Sequence, residues 1–305
     1  MRNALPTVAY LGADEFFEKL ANPGVGLRLG SFNAHIQSNA EALRPSLFEL
    51  YRDFPLIESP SVYHFHIKLC QRRGLIARHR RMVRFTVDGQ RPHDDMPASH
   101  APAVLEWGIN LVVALRFHCF FMLHAAVLER GGRGLVLPAA PGFGKTTLCA
   151  GLALAGWRLL SDEFGLIRRG SGVFTPAPRP LALKNESIEL MRRLAPDTYI
   201  SPPVENTRKG TVAHMRPPMD SVQRANEEVV PAWLVFPRWK RESDLDFTEV
   251  PRGEAFMALA SNAFNYDLLG QDGFTTAGQL ISSVRCFRMT YSNLAEAVQF
   301  LDRLT

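Results

Sequence analysis

The stretch Gly134–Ile167, GLVLPAAPGFGKTTLCAGLALAGWRLLSDEFGLI, limits the fold more than any other part of the chain. A short apolar run, Leu135–Leu137, leads into a small-residue turn with Gly142 and Gly144, after which Lys145, Thr146 and Thr147 open a helical pattern. That order makes a phosphate grip. The glycines let successive backbone N–H groups converge on one anion, the helix dipole adds to them, and the lysine brings a positive charge to the outer phosphates. Nucleotide binding is therefore expected at Ala140, Pro141, Gly142, Phe143, Gly144, Lys145, Thr146 and Thr147, with Thr146 placed to ligate magnesium. Ala139 stands where the full G-x-x-x-x-G-K-[ST] pattern has its first glycine, but the turn, the donors and the cation are all retained.

Downstream, Thr147–Leu154 reads as a helix that Gly156 ends, and Trp157–Ser161 as a strand closing on Asp162-Glu163. The step of seventeen residues from Lys145 to Asp162 suits one strand–helix–strand unit. Two adjacent carboxylates beside a phosphate loop can divide metal binding from proton transfer. Upstream, the strand Phe120–Leu128 carries His124, and the turn Glu129–Gly134, with Gly131 and Gly132, returns the chain along Leu135–Leu137. His124 thus lies on a strand next to the phosphate-loop strand, where a role in the site and a satisfied core histidine are equally compatible with the spacing.

With 305 residues, of which 46% are apolar, the chain can bury a substantial core in one large domain or two smaller ones. A net charge of +5 suits a phosphate-rich ligand without specifying nucleic acid, and no nucleic-acid partner is expected. Cys70, Cys119, Cys149 and Cys286 are too scattered for a zinc spacing or a disulfide framework, which fits a reducing cytoplasm. The N-terminal MRNALPTVAYLGADEFF lacks the pattern of a secretion signal. The most apolar window, Leu111–Leu128, is broken by Arg116, His118 and His124, so a buried helix followed by a strand is expected rather than a membrane span.

Residues 1–100 read as a small α+β region suited to docking a partner. Its strand-like runs are Val25–Ile36, Ser61–Cys70 and Met82–Val87, with a short helix at Ala40–Tyr51 that Pro45 interrupts. His64 and His66 share a strand face, an arrangement more ordinary for surface histidines than for a metal pair. The basic run Arg72, Arg73, Arg78, His79, Arg80, Arg81, Arg84 reads as a solvated charged hairpin, since no aromatic residues interleave it. Residues 101–305 begin with a long helix, Ala103–Phe117, and contain the phosphate loop. Further on, Lys184-Asn185-Glu186 sits on a turn before a helix capped by Ser187 or Asn185. Arg208, Lys209 and Gly210 lie in a polar segment before a strand, Thr211–Met215, placed to close on a phosphate. A strand over Val230–Arg238, helices over Gly253–Leu269 and Thr275–Ser283, a strand Phe287–Tyr291 and a helix Asn293–Leu304 complete the chain.

The span His124–Glu163 resembles the catalytic domain of HPr kinase/phosphorylase, a fold akin to phosphoenolpyruvate carboxykinase. In that family a strand histidine, a hairpin, a glycine-rich loop ending in Gly-Lys-Ser and a pair of aspartates after a Gly-x-Arg-Leu run occur in this order. Here they are His124, the loop Ala139–Thr146, Gly156-Trp157-Arg158-Leu159 and Asp162-Glu163. KNESI, TRKGTVAH and PAWLVFPR are similar to further signatures of the HPr-kinase-related kinase A group, found with small peptide-binding proteins of the PqqD type. The resemblance implies an α/β P-loop kinase core with ATP and magnesium as cofactors. It assigns Lys145 to the outer phosphates, Thr146 to magnesium, Glu163 to the proton acceptor with Asp162 as its neighbour, and His124 to assisting the acid; Asp162 stands as a candidate both for the metal and for the base. It also implies a metal role for Glu186, and Arg208 or Lys209 in the later polar segment is placed to clamp the moving phosphate. The chain departs from the family at Ala139, at Glu163, where the family has a second aspartate, and in having no counterpart of the family's glycine-rich segment after its magnesium glutamate.

The resulting expectation is a cytoplasmic ATP-dependent kinase acting on a hydroxyl, that of a serine in a peptide or small protein. A small-metabolite kinase, and an ATP-binding scaffold or switch that presents a peptide, stand as alternatives, and homo-oligomerisation is left open. A GTPase is disfavoured because no Asn-Lys-x-Asp segment is found, and an ABC-type ATPase because no LSGGQ-like element is present.

Overall fold

The computed structural model describes residues 5–57, 61–72, 81–140 and 142–304. The fold is mixed α/β, and the chain divides into two compact units, Met1–Val113 with Ala182–Arg216, and Ala114–Leu181 with Pro217–Thr305. The division expected at residue 100 differs from this partition in two respects: the first unit runs on to Val113, and Ala182–Arg216 joins it.

The first unit is built on a six-stranded sheet in the order Leu56–Ile57, Val25–Leu29, Phe32–Ser38, Phe65–Gln71, Met82–Val87, Met96–Pro97. Strict alternation explains it: Phe65, Ile67 and Leu69 are buried while His66 and Lys68 are exposed. The run Val25–Ile36, expected as one strand, is a hairpin, because Gly30 adopts φ 63° and lets the chain reverse there. The expected helix Ala40–Tyr51 is broken around Pro45 into a 3-10 turn, Glu41–Leu43, and a helix, Leu47–Tyr51. The helix Ala101–Arg116 packs in this unit through Val104, Leu105 and Ile109, and Tyr51 donates to the buried Glu106 carboxylate at 2.6 Å. With the preceding turn it is the one helix among the described residues that is long and apolar enough to cross a membrane, and half of it is buried. Ala182–Arg216 is tied in by hydrogen bonds from Tyr199 to the Pro45 carbonyl (2.5 Å) and from Arg216 to Glu49 (3.4 Å). Asn185 occupies the N-cap position of the helix Glu186–Leu194, but its side chain accepts from the Thr211 N–H instead of capping, and Ser187 bonds Lys184. Of the basic run, Arg73, Arg78, His79 and Arg80 lie outside the described residues. Arg72 and Arg84 pair with Asp95 (3.7 and 3.0 Å), and the Arg84 hydrogen bond holds that carboxyl below its usual range.

The second unit carries an eight-stranded sheet. Its path is Phe174–Thr175, Phe164–Arg168, Phe120–Arg130, Arg133–Pro138, Val230–Trp239, Arg285–Tyr291, Asp246–Glu249, and Arg158–Ser161 also pairs with Phe120–Arg130. Phe120–Arg130 and Arg133–Pro138 form a hairpin across Gly131-Gly132, both at positive φ. Arg133–Pro138, Val230–Trp239 and Arg285–Tyr291 run parallel, so their C-terminal residues Pro138, Trp239 and Tyr291 lie toward one end of the sheet. Leu123, Ala125 and Val127 join Leu259, Ala277 and Leu280, of the helices Arg252–Ser261 and Gln271–Ser283, in the core on one face. The even-numbered residues of that strand, His124 among them, face the other way. The helices Lys145–Leu154 and Leu294–Asp302 pack together there, and the first of them also lies against Phe120–Arg130. The helix expected over Gly253–Leu269 is interrupted after Ser261: Asn262 ends the first helix in helical conformation, Ala263 makes an isolated antiparallel bridge to Leu123, and a short helix, Tyr266–Leu269, follows.

Candidate functional site

The glycine loop leaves the sheet at Pro138 and enters the helix Lys145–Leu154 at Gly144. Gly144 is the N-cap, left-handed at φ 83° and ψ 7°, and a Cβ there would lie 2.8 Å from both Trp239 Cβ and Tyr291 Oη. Glycine is thus demanded twice, by conformation and by space. Gly142 also has positive φ, at 88°, but nothing within 4 Å of a Cβ. The loop is pinned by the Trp239 N–H to the Phe143 carbonyl (3.0 Å) and by the Tyr291 hydroxyl to the Gly144 carbonyl (3.2 Å). The Phe143 ring is part-exposed beneath the Arg238 guanidinium, 5.7 Å from its centroid. Pro141 lies outside the described residues. Thr146 and Thr147 stand partly buried in the first helical turn, whose N–H groups have no partner within a helix.

Lys145 does not project into solvent. Its side chain is 8% exposed, its Nζ donates to the Asp162 carbonyl and lies 3.4 Å from Asp162 Oδ1. Burial opposes the charge, but the attraction of Asp162 and then Glu163 outweighs it and holds the Lys145 pKa above its ordinary value. One turn along the helix, burial and then Asp162 push the Cys149 thiol well above its usual range, against the pull of Lys145. Cys149 was not singled out in the sequence, where it reads as one more small apolar residue on the inward side of a helix.

The acid pair sits where an otherwise continuous strand breaks. Val127 pairs with Ser161 and His124 with Phe164, so both stretches share one register and Asp162 and Glu163 stand opposite Ala126 and Ala125. Ser161 Oγ accepts from the Glu163 and Phe164 N–H groups (3.3 and 3.0 Å), replacing ladder bonds at the break. The strand bearing Asp162 therefore borders Phe120–Arg130, and Lys145 reaches it across the alanines. Glu163 Oε1 is 3.6 Å from His124 Nε2, with the two side chains 30% and 23% exposed. Asp162 is thus the buried partner of the lysine, and Glu163 the more accessible carboxylate beside an imidazole.

Glu186 and Arg208 belong to the first unit and are exposed there: Glu186 opens the helix Glu186–Leu194, and Arg208 lies in the turn between Val204–Thr207 and Gly210–Met215. Among the described residues no group of three or more His, Cys, Asp and Glu side chains is arranged to hold a metal. Trp239 and Tyr291, which shape the loop, escape a sequence reading because only the parallel pairing of Val230–Trp239 with Arg285–Tyr291 brings them to it. No protein-family model matches the chain, and no curated protein matches its sequence.

Proposed function

We propose that the chain is an ATP-dependent phosphotransferase of the HPr-kinase-related kind, acting on a serine hydroxyl of a peptide or small protein. One observation carries this reading. On one sheet, a buried, charged lysine at a glycine-capped helix start lies beside Asp162, and the next residue, Glu163, stands 3.6 Å from His124. In this reading the N–H groups of the loop and first helical turn, together with Lys145, hold the outer phosphates of ATP. Thr146 and Asp162 would hold magnesium, which supplies charge neutralisation at the phosphates when bound.

Glu163 accepts the proton of the acceptor hydroxyl as its oxygen bonds to the γ-phosphorus and the bond to the ADP oxygen breaks. His124 Nε2 orients that carboxylate and, when protonated, shares the added charge. Lys145 keeps Asp162 fixed and contributes positive charge throughout. A PqqD-like peptide-binding protein fits this reading as the partner that delivers the acceptor.

The test is transfer of label from γ-labelled ATP to peptides and to a panel of hydroxylated metabolites, with MgATP affinity measured separately. Glu163→Gln is expected to bind MgATP and to lose transfer by about 100- to 10,000-fold. Lys145→Ala is expected to lose MgATP binding, with a thermal melt confirming that it folds. MgATP binding as tight in Lys145→Ala as in the parent would remove the phosphate assignment. MgATP binding with no acceptor labelled would replace the kinase by a nucleotide-bound scaffold.

A further inference from the structure

The chain segment next to His124 comes from a distant part of the sequence. The strand Arg133–Pro138 ends its pairing with Phe120–Arg130 at Ala125, and residues 262–264 take up the same edge beyond it. The His124 N–H donates to the Asn262 carbonyl (3.0 Å), the Phe264 N–H donates to the Met122 carbonyl (2.8 Å), and Leu123 bridges Ala263. This backbone ladder sets the Phe264 ring against two others, 5.5 Å from the His124 ring and 4.7 Å from Phe164. Phe264 is nevertheless 45% exposed. A phenyl ring held by backbone pairing at the rim of an imidazole–carboxylate pair, with nearly half its surface in water, is apolar area still to be covered.

An extended peptide advances about 3.3 Å per residue, so with its hydroxyl at Glu163 a side chain one or two positions away falls within the range of Phe264.

We infer that Phe264 is a specificity-determining residue that receives an apolar side chain flanking the acceptor hydroxyl. The acceptor is then a serine in a peptide segment with Leu, Ile, Met or Phe one or two positions from it. This inference rests on the phosphotransferase reading for the identity of the hydroxyl, but the apolar preference shows in binding alone.

Two fluorescein-labelled peptides with a central serine, one flanked by Leu and Phe and one by Gly and Asp, are titrated without nucleotide into the parent, Phe264→Ala and Phe264→Leu. Label transfer from MgATP to the same peptides follows. The parent should bind the apolar-flanked peptide about tenfold more tightly. Phe264→Ala should erase that difference, Phe264→Leu should keep most of it, and the MgATP affinity of both variants should match the parent. Equal binding of the two peptides by the parent, an undiminished preference in Phe264→Ala, or labelling of a sugar alcohol in place of both peptides would overturn the inference. An intact peptide preference with no label transfer would overturn the kinase reading alone.

Discussion

Gly144→Ala tests the loop geometry without reference to any ligand. The substitution forces alanine to φ 83°, where an L-residue pays about 1–2 kcal/mol, and it places a Cβ 2.8 Å from Trp239 Cβ and Tyr291 Oη. Neither neighbour can swing away. Trp239 Cβ is fixed to a strand paired in register with Tyr291, and Tyr291 is 1% exposed with its hydroxyl bonded to the Gly144 carbonyl. Overpacking of this kind adds about 1–3 kcal/mol, for a total of about 2–5 kcal/mol. Gly142→Ala is the internal control, since its φ of 88° carries the conformational cost while nothing lies within 4 Å of the new Cβ. Its loss should stay near 1–2 kcal/mol. Urea unfolding followed by tryptophan fluorescence reads both variants against the parent. If Gly144→Ala were no less stable than Gly142→Ala, the close approach of Trp239 and Tyr291 to the loop would be wrong.

Three further outcomes follow from buried groups in the same unit. Arg158 and Glu129 pair at 2.6 Å with side chains 4% and 6% exposed, and Arg158 also donates to the Arg224 and Glu227 carbonyls. Arg158→Ala should therefore cost about 3–5 kcal/mol in urea denaturation, and a loss below 1 kcal/mol would contradict the pairing. Burial opposes the Glu129 charge, but its hydrogen bonds from Arg158 and Gly132 prevail and hold its pKa below the ordinary carboxylate value of 4.5. Its contribution is accordingly complete above 4.5 and lost as pH falls through the lower folded value, so acid should weaken the parent more than Glu129→Gln in that range. Finally, Cys119 is exposed whereas Cys149 is buried with a raised pKa, so iodoacetamide at pH 8 should modify Cys119 first and Cys149 only on unfolding. Peptide mapping by mass spectrometry that found Cys149 modified as fast as Cys119 would refute its burial.

Local chemistry was legible along the chain because it depends on neighbours in sequence. The strand Leu135–Leu137, the turn at Gly142 and Gly144, the helix from Lys145 and the hairpin at Gly131-Gly132 all follow from apolar runs punctuated by residues that tolerate positive φ. The hairpin at Gly30 was equally signalled by its glycine, but alternation continued across it and concealed the reversal. Asn185 illustrates the opposite failure, a good capping residue whose side chain is claimed by Thr211 from another strand.

What the sequence determined by itself is a glycine-loop helix entry with a lysine, a following acid pair and a preceding strand histidine. Those features are set within forty residues by backbone conformation and hydrophobic period. The tertiary structure decided which of them meet. Burial draws Lys145 to Asp162, the continuous register beside Phe120–Arg130 leaves Glu163 next to His124, and parallel pairing brings Trp239 and Tyr291 onto Gly144. It also brought residues 262–264 to the open edge beside His124, a contact spanning about 140 positions that backbone hydrogen bonding requires and that no local pattern announces.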